Sequence, residues 1–137
     1  MSFEFKDHTA DTIVLAKGKD LQEAFEQAAL GTYETMTDIS LISPRLQKEV
    51  IIDSEDMKSL LFDWIDQLIF LFDTEYLIAN KITIQQFTTG PEKFHLKAIL
   101  EGEEFEIGRH TQKSEVKAMT YSFMEIGEDF VEFTLDL

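Results

Sequence analysis

MKSLLFDWIDQLIFLF, Met57 to Phe72, is the stretch that decides the fold. Its apolar residues Met57, Leu60, Leu61, Trp64, Ile65, Leu68, Ile69 and Phe72 recur in steps of three and four, the spacing of one helix face. Lys58, Asp63 and Asp66 interrupt it, and it is shorter than the roughly 20 apolar residues that cross a bilayer. It therefore reads as a core helix rather than a membrane span. Ser54 is placed to cap it, with Glu55 and Asp56 in the first turn, where they suit the helix dipole. The breadth of the apolar face puts this helix at the centre of the fold.

Outward from it, the chain divides into helical and alternating segments. Asp20 caps an earlier helix, with Glu23 three positions on as in a capping box. Leu21, Ala24, Phe25, Ala28, Ala29, Tyr33 and Met36 form its single apolar stripe, and Gly31 lies within it. Before that helix, Phe3 and Phe5, then Ile13 and Leu15, alternate with polar residues. They predict two short strands around the polar cluster Asp7-His8-Thr9-Ala10-Asp11-Thr12. After a loop containing Pro44, EVIID (Glu49 to Asp53) is a strand candidate.

The last third has period two. KITIQQF, KFHLKAIL and EFEI alternate, separated by Gly90-Pro91 and a reversal at Glu101-Gly102-Glu103. A further alternating run, Val116 to Ile126, turns at Gly127-Glu128-Asp129 into FVEFTLDL. The order is ββαβα followed by several strands. It predicts one domain, residues 1–137, of the α+β class: two amphipathic helices packed on a mostly antiparallel β-sheet as a sandwich.

Composition narrows the function. With 44% hydrophobic residues, twelve Phe and one Trp, the chain can build a large aromatic core. Its 27 acidic residues against 12 basic ones give a formal charge of −15, which repels phosphate backbones and argues against autonomous nucleic-acid binding. Such a surface suits a basic partner or divalent cations, or simply confers solubility. There is no cysteine, which removes disulfides, thiolate zinc sites and cysteine nucleophiles. The start MSFEFKD lacks the features of a secretory signal, and the expected location is cytoplasmic.

Motif chemistry is sparse. No GxxxxGK[ST], GxGxxG, HExxH or GxSxG occurs. His8, His95 and His110 are dispersed, and the pairs Glu103-Glu104 and Asp53/Glu55/Asp56 read as solvated turn or cap residues. Three residues sit oddly in alternating runs. Asp11 and Asp136, with the terminal carboxylate of Leu137, would make a hard oxygen site of the kind Ca²⁺ or Mg²⁺ takes, since crowded carboxylates raise one another's proton affinity without a cation. The alternative is that Asp136 frays into solvent at a terminus. Lys117, in EVKAMT, is the third; an exposed strand lysine is the plain reading.

The same places carry a resemblance. DHTAD (Asp7 to Asp11), LQEAFEQAALGTYETMTD (Leu21 to Asp38), LLFDWIDQLIFLFDTE (Leu60 to Glu75), EVKAMTY (Glu115 to Tyr121) and the closing LDL resemble the archease family over essentially the whole chain. The resemblance implies a helper without catalysis of its own. Archeases activate the GTP-dependent tRNA-splicing RNA ligase, which joins 3′-phosphate or 2′,3′-cyclic phosphate ends to 5′-hydroxyl ends, by promoting its guanylylation and multiple turnover. It implies a divalent metal, Ca²⁺ first and Mg²⁺ second, on Asp11, Asp136 and Leu137, with Lys117 as the functional lysine. Asp38 is a further acidic position of the motif set, and His8 would orient Asp11. RNA would be met only through the ligase, and no membrane is involved. The chain departs from the family at Thr12-Ile13-Val14, where a Gly is frequent, and at Ser122, where a His is common. The competing classes are a metal-dependent phosphate-ester hydrolase, with Lys117 as electrostatic stabiliser, and a chaperone-like protein-binding module.

Overall fold

The Met57–Phe72 stripe forms a helix, α2 (Met57–Glu75), that buries Leu60, Leu61, Trp64, Ile65, Leu68, Ile69 and Leu71. This is a computed structural model, and it describes residues 1–6 and 11–137. The cap of α2 is Asp56, not Ser54: Asp56 Oδ1 accepts the Ser59 N–H at 2.7 Å. Ser54 is the last residue of an extended strand, and its hydroxyl donates to Asp63 Oδ2 at 2.6 Å, so the helix starts two residues later than the sequence suggests. At the other end Tyr76 takes the left-handed conformation, φ 57°, and its N–H closes on the Leu71 and Phe72 carbonyls.

Helix α1 (Leu21–Met36) starts as predicted, with Asp20 Oδ1 accepting the Glu23 N–H at 2.8 Å. Among the described residues, seven strands complete the fold: β1 (Ser2–Lys6), β2 (Asp11–Lys17), β3 (Leu46–Ser54), β4 (Leu77–Gly90), β5 (Lys93–Glu104), β6 (Ala118–Ile126) and β7 (Phe130–Asp136). Every pairing between them is antiparallel. Instead of one sheet there are two, ordered β1-β2-β7-β6 and β3-β5-β4. Alternation identifies strands but not their hydrogen-bonded neighbours, so the division was invisible in the pattern.

The helices join the sheets. α1 packs against β1, β2 and β7 of one and β4 of the other; α2 packs against β6 and against β3, β5 and β4. Among the described residues no strand of one sheet lies against a strand of the other. Lying against both sheets, α1 buries more than its predicted stripe: Gln27, Gly31, Thr32 and Thr35 are buried as well. A Cβ on Gly31 would come within 2.9 Å of Val14 Cγ1, so glycine lets the helix sit close on β2. The inner face of β2 is accordingly Val14 and Ala16, whereas Leu15 is only half-buried. Trp64 Nε1 donates to the Phe25 carbonyl at 3.0 Å and ties the helices together. Side chains of α1 also cover the free edge of β4, where Glu26 Oε2 accepts the Ile84 N–H at 2.8 Å and Gln22 Nε2 donates to the Ile84 carbonyl at 3.1 Å.

Two predicted boundaries in the last third are corrected. Glu101-Gly102-Glu103 is no reversal: Gly102 lies inside β5, opposite Leu46 on β3 and Ala79 on β4. A Cβ there would collide with the Ile78 carbonyl, so this glycine serves close strand approach rather than a turn. EFEI is not a separate strand either. Glu104 ends β5, the Phe105 N–H donates to the Tyr76 carbonyl at 2.7 Å, and Glu106 opens a turn closed by the His110 N–H at 3.0 Å. In β6 the expected simple alternation breaks between Thr120 and Glu125, where the register shifts and Phe123 adopts φ 59°.

Gly102→Val is expected to destabilise the protein by about 2–4 kcal/mol, because backbone and not a flexible side chain must yield. Urea unfolding, compared with Gly90→Val, where a Cβ meets nothing, measures the difference.

Candidate functional site

The start of β2 and the end of β7 come together. Asp11 pairs directly with Asp136, and Asp136 in turn pairs with Ala118 at the start of β6. Opposed residues of an antiparallel pair project to the same face, so the two carboxylates are neighbours. The Lys117 N–H donates to the Asp136 carbonyl at 2.8 Å, placing the lysine directly before β6 at the same end of the sheet. Asp11 is half-buried; Asp136 and Lys117 are exposed. Leu137 is half-buried and packs on the core, so Asp136 does not fray.

Among the described residues, neither carboxylate and not Lys117 Nζ takes part in an ion pair. Like charges directly opposed on neighbouring strands repel, so this end of the sheet favours a positive charge between them. Two hard oxygen donors on one face could hold a divalent cation with water and backbone oxygens. No three Asp, Glu, His or Cys side chains converge among the described residues. His8, predicted to orient Asp11, lies outside the described residues. Asp38 caps a one-turn 3₁₀ helix (Ile39–Leu41): its Oδ1 accepts from Ser40 Oγ at 2.6 Å and Ser40 N at 3.1 Å, and these bonds favour the ionised carboxylate and hold its pKa below the usual carboxylate value. Ser122 sits in the β6 irregularity, where its N–H donates to Thr120 Oγ1 and its carbonyl accepts from Thr134 Oγ1.

Lys117 is delivered by the connection from β5, and the stretch from Glu103 to Tyr121 is stitched down at three places. The Ser114 and Lys113 N–H groups donate to the Thr35 and Met36 carbonyls, each at 3.0 Å, satisfying the end of α1, and Lys113 Nζ reaches Glu34 at 2.9 Å. Tyr121 stacks on Phe62 of α2, with ring centroids 4.5 Å apart. The third fastening is buried. Glu103, read from sequence as solvated, is 4% exposed and lies 2.7 Å from both His110 Nε2 and Arg109 Nη2. His110 Nδ1 accepts the Glu106 N–H, so Nε2 carries the proton shared with Glu103. Burial pushes the Glu103 carboxyl up, but the His110 and Arg109 hydrogen bonds win and hold it at about 2. A strand buries alternate residues, so Glu103 beside exposed Glu104, with Arg109 and His110 close behind, was the available signal.

Residues 3–137 match the archease protein family. The chain belongs to that family. The protein archease of Methanothermobacter thermautotrophicus is 44% identical over 124 residues, 90% of this chain and 87% of that one. The solution structure of Methanobacterium thermoautotrophicum protein 1598 superposes with a TM-score of 0.85 at 40% identity, covering 98% of each chain. A Thermotoga maritima archease, described as a "possible chaperone", has a TM-score of 0.53 at 18% identity over 96% of this chain and 92% of its own, a likeness of fold alone. The archease fold expected from the sequence motifs is thus present, and among the described residues no helix is long and apolar enough to cross a membrane.

Glu103 titrates below its ordinary value of 4.5 in the folded state, so its stabilising contribution is full above that pH and is lost as pH falls toward about 2. The stability gap between wild type and Glu103→Gln is therefore expected to be widest above pH 5 and to close on acidification, as read by thermal unfolding across a pH series.

Proposed function

We propose that this archease-family protein is a protein cofactor of the GTP-dependent tRNA-splicing RNA ligase, promoting its guanylylation and repeated turnover. The observation that carries the reading is the grouping of Asp11, Asp136 and Lys117 at one end of the four-stranded sheet. Asp11, Asp136 and the Leu137 carboxylate would hold a divalent cation, Ca²⁺ or Mg²⁺, whose chemistry is to bind and orient phosphate oxygens. Asp11 is held in β2 and presents its carboxylate beside that of Asp136. Lys117, anchored through its own backbone, adds a movable positive charge able to meet a phosphate. A net charge of −15 keeps RNA from docking on this surface directly, so RNA is met through the ligase.

The two described histidines are both held by their neighbours. His95 lies between Asp53 Oδ1 at 2.7 Å and Gln86 Oε1 at 3.0 Å, and His110 between Glu103 and the Glu106 N–H.

With the cognate ligase, GTP and RNA ends in excess, wild-type protein is expected to restore multiple turnover. Asp11→Ala, Asp136→Ala and Lys117→Ala are each expected to lower the stimulated rate by roughly tenfold or more while unfolding at wild-type temperature. No stimulation by wild type sinks the cofactor reading; stimulation that survives all three changes sinks the site alone. In a second measurement, Ca²⁺ should raise the thermal midpoint of wild type, while Asp11→Asn and Asp136→Asn, which keep side-chain shape but lose charge, should show little or no shift. Equal shifts in all three proteins rule out this cation site.

A further inference from the structure

Two hollows lined in part by the β5–β6 connection share one aromatic wall. The larger, about 480 Å³, runs between Tyr76 and Ile107; the smaller, about 180 Å³, reaches Glu115, two residues before Lys117. Phe72 and Phe105 line both. The wall is preformed: the Phe72 ring meets Phe105 edge-on at 5.6 Å and Tyr76 at 6.4 Å, and Phe105 stacks on the buried His110 at 5.6 Å. Ile107 is 83% exposed and Tyr76 54% exposed, a concentration of uncovered apolar surface that marks interaction sites.

Its rim is acidic. Asp73 and Glu115 flank the smaller hollow, Glu104 and Glu106 the larger. The basic side chain at hand, Arg109, is committed to Glu103 and Glu106. Asp73, Glu104 and Glu115 take part in no ion pair among the described residues. An apolar trough with surplus negative charge along its edge complements a segment with a large apolar side chain flanked by Lys or Arg. A second copy of this chain would oppose the same acidic rim to itself, at −15 per chain, and RNA would be repelled by it.

We propose that this groove is the docking surface for a basic, apolar-anchored segment of the partner ligase. The proposal rests on the cofactor reading above and adds the surface by which the partner is held. The groove then supplies affinity, while the carboxylate pair and Lys117 act on the ligase; Glu115 of the smaller hollow lies two residues before Lys117 in the chain.

The test is binding of the purified cognate ligase to immobilised full-length protein, over a salt series, alongside turnover assays. Wild type should bind less tightly as salt rises. Ile107→Asp, and separately Asp73→Lys with Glu104→Lys, should weaken binding by about tenfold or more. Both should still stimulate ligation fully once their concentration is raised, because Asp11, Asp136 and Lys117 are intact. Ile51→Thr, which alters an exposed apolar residue on the outer face of β3, should bind as wild type does. If both groove variants bind like wild type while wild type binds and stimulates, the groove is overturned and the cofactor reading stands. If wild type neither binds nor stimulates, both fall. If sedimentation shows a wild-type dimer that Ile107→Asp dissolves with ligase binding unchanged, the occupant is a second copy, and the proposal is overturned.

Discussion

Seven consecutive residue pairs between β2 and β7, from Asp11–Asp136 to Lys17–Phe130, join the two central strands of the four-stranded sheet, and the candidate site exists only because of their register. Side chains alternate across a strand, so a slip of one residue would turn Asp136 to the opposite face from Asp11. The apolar residues on the same ladder prevent that slip. Val14, Ala16, Val131, Phe133 and Leu135 all face the helices and are buried, and moving them outward would expose the core. Packing inside the sandwich thereby sets the spacing of two carboxylates at its end.

The helices make that register possible by serving both sheets. α1 carries small residues where it is sandwiched, and Gly31 admits Val14 at a distance that a methyl group would forbid. α2 supplies the bulk, with Trp64 both filling the core and donating to the Phe25 carbonyl. The connection between β5 and β6 is then fastened to this assembly through Glu103, His110, Glu34 and the end of α1. Lys117 is thus held by a chain of contacts that begins in the core, although its own side chain is exposed.

Charge is distributed with the same economy. Most of the 27 acidic residues are solvated, capping or paired, as with Asp20 and Asp56 at helix starts and Glu26 at a strand edge. Asp11 and Asp136 differ because the backbone brings them together and, among the described residues, neither pairs with a basic side chain. The acidic groove beside Phe72 and Phe105 differs because its carboxylates border uncovered apolar surface instead of open solvent. These are the two features on which the proposed cofactor role and docking surface rest.

The sequence by itself determined the α+β class, both helices with the Asp20 cap, the β1–β2 and β6–β7 hairpins, and membership of the archease family, because periodicity, caps and ordered motifs are local properties of the chain. It also singled out Asp11, Asp136 and Lys117, which lie at one end of the four-stranded sheet. Other features were decided only by tertiary structure. The split into two sheets, the burial of Glu103 with His110 and Arg109, the role of Gly102 inside β5 rather than at a turn, and the groove at Phe105 all depend on which segments pack together. Alternation tells which side chains share a face, but not which face meets a helix, which strand lies alongside, or which carboxylate finds a partner; those are set by long-range packing that no local pattern records.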